Sequence, residues 1–407
     1  MLIPRRTVLV ATVAALGAAC GGDPSGPARS TTPAPAPVTR PPATSVAAAA
    51  YLDTALIFSR DVFYYSTRVN WDALRTRAVA RSAGAQTIGQ THAAIDSAVR
   101  ELGDRHSFFY RPTETLGNRE DPSGPLYTPI SATIAPRVGY VWLTSFGGRN
   151  PTARADTLRR LIQQVDSASD VCGWIIDQRA NLGGFWPVML AGISPLITNG
   201  VVGGFVERDT TQRYHYFVQD GNAGLTDALG RSYVYQEATE TYRLRRPNPP
   251  VALLQGSYTA SAGEIVVMAF KEAARDVRTF GAPTYGVTSQ PYTYRMRDTA
   301  SIQITAALMF DRMGRDYGGG AIPPDEVVAG PPITTSFQPG VRDAVVDAAV
   351  RWLNNRPECA QPPVIAQRAP ATGGGGWRAA RLVPGVRPAS EWPKDRPTAW
   401  TATSWLR

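Results

Sequence analysis

Lysine is almost missing from this sequence: of 42 basic residues, only Lys271 and Lys394 are lysines. Chemistry built on an amine base therefore has at most two places to put it. Three cysteines in 407 residues exclude a disulfide-stapled scaffold, and they are too few for a zinc module. No metal or cofactor is expected. Histidine is equally scarce, with His92, His106 and His215 the only imidazoles. Positive charge is present but not spread: of the net +9, residues 1–49 hold +3 and residues 361–407 hold +5, leaving +1 for residues 50–360. A near-neutral body with basic tails lacks a basic face that could track phosphates, so nucleic acid is not expected as a partner.

What is present first is an address. Arg5 and Arg6 precede an uncharged run from Thr7 to Ala19, followed at once by Cys20. The run is too short to cross a bilayer stably but fits the apolar region of a signal peptide, here residues 1–19. It resembles a bacterial lipoprotein signal, which implies cleavage before Cys20 and lipidation of that cysteine. It departs from the usual pattern in having Gly17 where Leu is common, and an ordinary secretory signal cut nearby is the alternative. Residues 20–45, rich in Pro, Ala, Ser and Thr, read as an extended tether. The chain is expected in the bacterial cell envelope, lipid-anchored to a membrane and facing the periplasm or exterior. Cys172 and Cys359 could pair there or remain buried thiols.

With 43% hydrophobic residues, the body can bury a large core. Residues 46–115 carry three helical patterns, one opening at an Asn cap and one at a Thr cap, and read as a small helical bundle. Residues 116–356 alternate strands and helices: strand 138–146, helix 152–168, strand 171–178, helix 185–197, mixed strands to about 245, strand 251–255, helix 263–275, strand 277–281, strands 292–309 and helix 341–355. Continuously apolar strands such as Cys172–Ile176 suit a sheet covered on both faces, so the fold class is layered α/β. Residues 357–407, rich in Gly, Pro, Arg and Trp without period, read as a disordered tail.

Three islands could carry chemistry. In Leu102-Gly-Asp-Arg-His-Ser-Phe-Phe109 a loop presents His106, and imidazole is the side chain suited to moving protons near neutral pH. His92, within a helix, and His215, in a Tyr-flanked strand, read as structural. In Ile175-Ile-Asp-Gln-Arg-Ala-Asn-Leu-Gly-Gly184 a buried strand runs into a turn whose glycines let N–H groups approach a ligand oxygen. In Thr259-Ala-Ser-Ala-Gly-Glu264 a strand delivers Ser261 to a helix start. Its hydroxyl would sit there beside the Ala262 N–H, as a nucleophile needs, or Ser261 would be an N-cap with Glu264 completing a capping box.

In this order the islands, with Asn70-Trp71-Asp72, Phe280-Gly-Ala-Pro-Thr-Tyr-Gly286 and Gly320-Ala-Ile-Pro-Pro-Asp325, resemble the C-terminal processing (tail-specific) serine protease family and its tricorn-type relatives. The resemblance covers roughly residues 46–355. It implies a crotonase-like (Clp protease-like) ββα spiral core, Ser261 as nucleophile, and an oxyanion hole from Gly183 and the N–H of Ala262. The family's general-base lysine is replaced by Val287. The tricorn-type relatives use a histidine from the first island, which corresponds to His106, so the catalytic residues resemble that branch. The acid orienting His106 is open among Glu264, Asp104 and Asp316. About thirty residues separate His106 from Val138, too few for a peptide-gripping PDZ domain. The expectation is an exported serine endopeptidase acting on peptides or unfolded proteins, with a base that loses activity below about pH 6.5, the unperturbed imidazole value. The alternative is a non-hydrolytic binder of peptides or apolar ligands on the same fold.

Overall fold

The structure, a computed structural model, describes residues 42–112, 130–147, 150–208, 212–271, 273, 276–330 and 342–360. The expected signal segment, Cys20, most of the tether, and the tail from residue 361 lie outside the described residues.

Three helices come first: α1 (Val46–Val62), α2 (Trp71–Arg81) and α3 (His92–Arg100). Each starts where a polar side chain or tight turn satisfies the free amides of a first turn. Ser45 Oγ accepts from Ala48 N at 3.2 Å, and Asn70 Oδ1 accepts from Ala73 N at 3.0 Å. The Thr87 cap expected to open one long helix instead opens a 3₁₀ turn, Ile88–Thr91, and α3 begins at His92. The apolar face of α3 (Ala94, Ile95, Ala98, Val99) packs with Leu52, Ala55 and Leu74 against Ile302 and Ile304.

The core continues as β1 (Phe108–Tyr110), β2 (Ile130–Ala135), β3 (Val138–Trp142), α4 (Pro151–Ala168), β4 (Gly173–Asp177) and α5 (Trp186–Gly192). Then come β5 (Gly200–Glu207), β6 (Arg213–Gln219), β7 (Asn222–Thr226), β8 (Ser232–Gln236), β9 (Val251–Gln255), α6 (Ala262–Phe270) and β10 (Val277–Gly281). Last are β11 (Ser289–Arg295), β12 (Ser301–Phe310), β13 (Glu326–Val327), α7 (Ala344–Asn354) and α8 (Pro357–Ala360). The order β13-β10-β9-β4-β3-β2 forms one sheet, parallel except for the β2–β3 pair. The order β1-β12-β5-β6-β7-β8, with β11 also on β12, forms an antiparallel sheet.

Strand alternation explains the layers. On β4 and β9, Trp174, Ile176, Val251 and Leu253 face α4, α5 and α6, while Ile175, Ala252 and Leu254 face α7. The parallel sheet is therefore covered on both faces, and α4 to α6 lie between it and the antiparallel sheet, whose far side carries the N-terminal helices. The molecule is mixed α/β with a helical lead-in, as the resemblance implies. The helix expected over 263–275 ends at Phe270, because Lys271 turns to an extended backbone (φ −60, ψ 133).

Cys172, just before β4, is joined to Cys359 on α8, 187 residues away. Arg137 secures the same turn by donating to the Cys359 carbonyl at 3.1 Å and to Asp170 Oδ2 at 3.0 Å. A bridge closing so long a loop restricts the unfolded chain and is worth about 2–5 kcal/mol. Reduction of the folded protein, or Cys359→Ala, should lower the melting temperature by several degrees in a thermal scan. An unchanged midpoint on verified reduction would contradict a stabilising bridge.

Candidate active site

The turn carrying Ser261 begins at the end of β9, a strand buried throughout. Thr259 fixes the turn, accepting from Gly256 N at 3.0 Å and donating to the Gln178 carbonyl at 2.9 Å. Ser261 follows with φ 52° and ψ −115°, a conformation L-residues seldom adopt. Such strain persists only where the surroundings enforce it, and it clusters at functional sites. Here the enforcing group is Glu264, one helical turn along α6. Its side chain is fully buried and accepts four hydrogen bonds: from Ser261 N (2.9 Å), Val287 N (3.0 Å), Gly286 N (3.0 Å) and Thr284 Oγ1 (2.6 Å). The Ser261–Glu264 cap is present, so the capping and functional readings of Ser261 describe one arrangement. Burial pushes the Glu264 carboxyl above its ordinary value, and the four donors oppose that shift.

The glycine turn after β4 is pressed against Ser261. Ala260 N donates to the Asn181 carbonyl at 2.9 Å. A Cβ on Gly183 would stand 2.7 Å from the Ala260 carbonyl and 2.8 Å from Ser261 Cβ, and φ there is +97°. Only glycine fits. The Gly183 N–H donates to Asn181 Oδ1 at 3.0 Å, so an oxyanion role requires that amide to share or change its acceptor. Ala262 N is the first amide of α6 and has no intrahelical acceptor. Leu182 N, also in the turn, donates to Ser145 Oγ at 2.7 Å. Arg179 braces the turn from behind, with two edges of its guanidinium on carboxylates: Nη2 lies 2.6 Å from Asp177 Oδ2 and 2.7 Å from Asp343 Oδ2, the cap of α7.

His106 is 8% exposed, and its Nδ1 lies 2.9 Å from Ser289 Oγ, at the start of β11 and two residues past Val287. Ser261 and His106 are thus tied to one short segment: Glu264 joins Ser261 to Val287, and Ser289 joins that segment to His106. Asp104 accepts from the backbone N of His106 at 3.1 Å and from Thr305 Oγ1 at 2.5 Å, while its Oδ1 is buried with no partner among the described residues. Asp316 accepts from Gly318 N. The atom against the imidazole is a serine oxygen, which no local pattern in the sequence marks. Lys271 sits past the far end of α6, about 14 Å along the helix from Ser261, with Nζ 2.6 Å from Asp325 Oδ1. His92 Nε2 pairs with Asp298 Oδ2 at 2.8 Å, and His215 lies against Phe310, so both have structural contacts. A cavity of about 660 Å³ opens beside His106, between the N-terminal helices and the core, with Tyr65, Leu74, Arg77, Asp104 and Val287 among its lining.

Residues 137–328, which hold the glycine turn, Ser261, Val287 and Ser289, match the profile of Peptidase family S41. The chain carries a peptidase family S41 domain. A nisin-resistance protein of Lactococcus lactis subsp. lactis is 23% identical over 275 residues, 68% of this chain and 81% of that protein. The chloroplastic carboxyl-terminal-processing peptidase 2 of Arabidopsis thaliana is 24% identical over 179 residues, 44% of this chain and 29% of that protein. Among solved structures, a lipoprotein from Streptococcus agalactiae superposes with a TM-score of 0.59 at 18% identity, over 76% of this chain and 97% of that one. This last likeness shows the fold. His106 and the three N-terminal helices precede the matched S41 segment, and the loop carrying His106 reaches it through β1, which pairs with β12.

Burial pushes the His106 pKa down to about 4, against the charge of Asp104 and a backbone hydrogen bond at Ser289. The imidazole is therefore neutral well below the expected 6.5. Between pH 6.5 and 4 the unfolded chain binds a proton that the native state does not, so stability should decline by about 3 kcal/mol as pH falls through that window. With only three histidines to resolve, an NMR titration should place the His106 midpoint near 4. A midpoint near 6.5 would contradict the buried neutral ring.

Proposed function

We propose that the protein is an exported serine-type endopeptidase in which Ser261 attacks the scissile carbonyl and His106 accepts its proton, then returns it to the leaving amine. The observation that carries this reading is the Glu264 carboxylate, which binds Ser261 N and Val287 N through one oxygen and so joins the strained serine to the segment that contacts His106. Ala262 N, with Gly183 N once its bond to Asn181 is shared, would meet the developing oxyanion. Val287 fills the place of the family's lysine, which supports an imidazole base. Similarity to a nisin-resistance protein and to a streptococcal lipoprotein supports a place at the cell envelope. There, lipidation at Cys20 would hold the body to a membrane, with peptides or unfolded proteins as substrates. In this reading residues 1–19 are the signal, 20–45 the tether, 46–115 the bundle, 116–356 the protease core and 357–407 the tail, whose first four residues are not disordered but form α8, bridged to the core through Cys359.

A second reading, a binder of peptides or apolar ligands that does not hydrolyse, is favoured by the Gly183 N–H already having an acceptor and by the uncharged partner of His106. Labelling with a serine-reactive fluorophosphonate separates the two. Wild type should label, Ser261→Ala should not, and His106→Ala should label roughly 10²- to 10⁴-fold more slowly. Equal labelling of all three would overturn the site, and an unreactive wild type would favour the binder.

A further inference from the structure

The two nitrogens of a neutral imidazole are not equivalent: one holds the proton and the other the lone pair that can serve as base. In a serine peptidase a neighbouring group must decide which. Ser289 is 4% exposed and its Oγ lies 2.9 Å from Nδ1. With Nδ1 facing Ser289, the nitrogen left to act as base is Nε2; a lone pair there puts the ring proton on Nδ1, and the Ser289 hydroxyl oxygen is then its acceptor. Among the described residues, no carboxylate takes this role. Asp104 binds the backbone of His106, Glu264 is filled by four donors, and the Arg105 guanidinium lies 4.0 Å over the Tyr285 ring and donates to the Tyr285 carbonyl. From the N-terminal helices, Arg77 is paired with Glu101, and Arg68 lies over Tyr65.

Resting on the serine-peptidase reading above, we propose that Ser289 is the positioning residue of the base: it receives the Nδ1 proton of His106 and leaves Nε2 with the lone pair. Ser289 itself touches no substrate atom. As Ser261 Oγ bonds to the carbonyl carbon, its proton passes to Nε2; as the C–N bond breaks, the same proton leaves on the amine. A neutral positioning group suits a site this buried, where a third carboxylate beside Glu264 and Asp104 would add a charge to desolvate. Asp104, out of contact with the ring, favours the imidazolium through space. The two tasks of a triad acid, aiming the ring and countering its charge, are divided between Ser289 and Asp104.

The test is ¹⁵N NMR of His106 in the full chain, with peptide hydrolysis measured alongside. Wild type should show Nδ1 protonated and Nε2 unprotonated at neutral pH. Ser289→Ala should mix the tautomers and lower kcat roughly tenfold to a hundredfold with little change in KM, and Ser289→Thr, which keeps the hydroxyl, should restore both. A protonated Nε2 in wild type, or a Ser289→Ala protein with unchanged tautomer and kcat, would overturn the proposal. The tautomer is read without turnover, so Ser289 is tested even if Ser261 proves unreactive, and an unreactive Ser261 overturns only the peptidase reading.

Discussion

Everything in the candidate site hangs from the carboxylate of Glu264. Each of its oxygens accepts two hydrogen bonds, and together they tie the Ser261 turn at the head of α6 to the loop 284–287. Burying a charge is costly unless its lone pairs are filled, and four donors fill them. The same contacts hold Ser261 in a backbone conformation that a free chain would leave, and they set the segment from which Ser289 reaches His106. A side chain that first reads as half of a capping box is the joint between the Ser261 turn and the segment that meets His106.

The layers make such a joint possible. The turn carrying Gly183 follows β4, and the turn carrying Ser261 follows its parallel neighbour β9, so both emerge at one edge of a sheet buried on both faces. Behind them Arg179 links Asp177 to Asp343 through a nearly buried pair of ion contacts, and so couples the glycine turn to α7. α7 is in turn anchored through α8 by the Cys172–Cys359 bridge. Rigid strands supply the positions, and the strained turns at their ends supply the chemistry.

What was legible in the sequence was local. Ser261 at a strand-to-helix junction, the paired glycines, and the N-terminal helices are read within windows of ten or twenty residues, and the structure has these elements where the pattern puts them. What was not legible depends on distant partners. Ser289 meets His106 across 183 residues, and Arg179 meets Asp343 across 164. Nothing in the local pattern around residue 289 marks a partner for imidazole. The expected acid limb at 6.5 missed the desolvation of His106, because burial of a loop residue follows from the packing of helices that its own neighbours do not encode. Glu264 was noticed for its proximity to Ser261, but its reach to residues 284–287 appears only once α6 and that loop are folded together.

The most direct test of this account is the fluorophosphonate labelling rate of Glu264→Gln. An amide can offer an acceptor to only one of the two donor pairs, so either orientation sets its NH₂ group against at least one backbone N–H. Labelling at Ser261 should fall by at least ~10²-fold, as expected when a reacting group moves by about an ångström, and amide exchange at Val287 should quicken. A folded Glu264→Gln protein that labels at the wild-type rate would contradict the claim that this carboxylate holds nucleophile and base together.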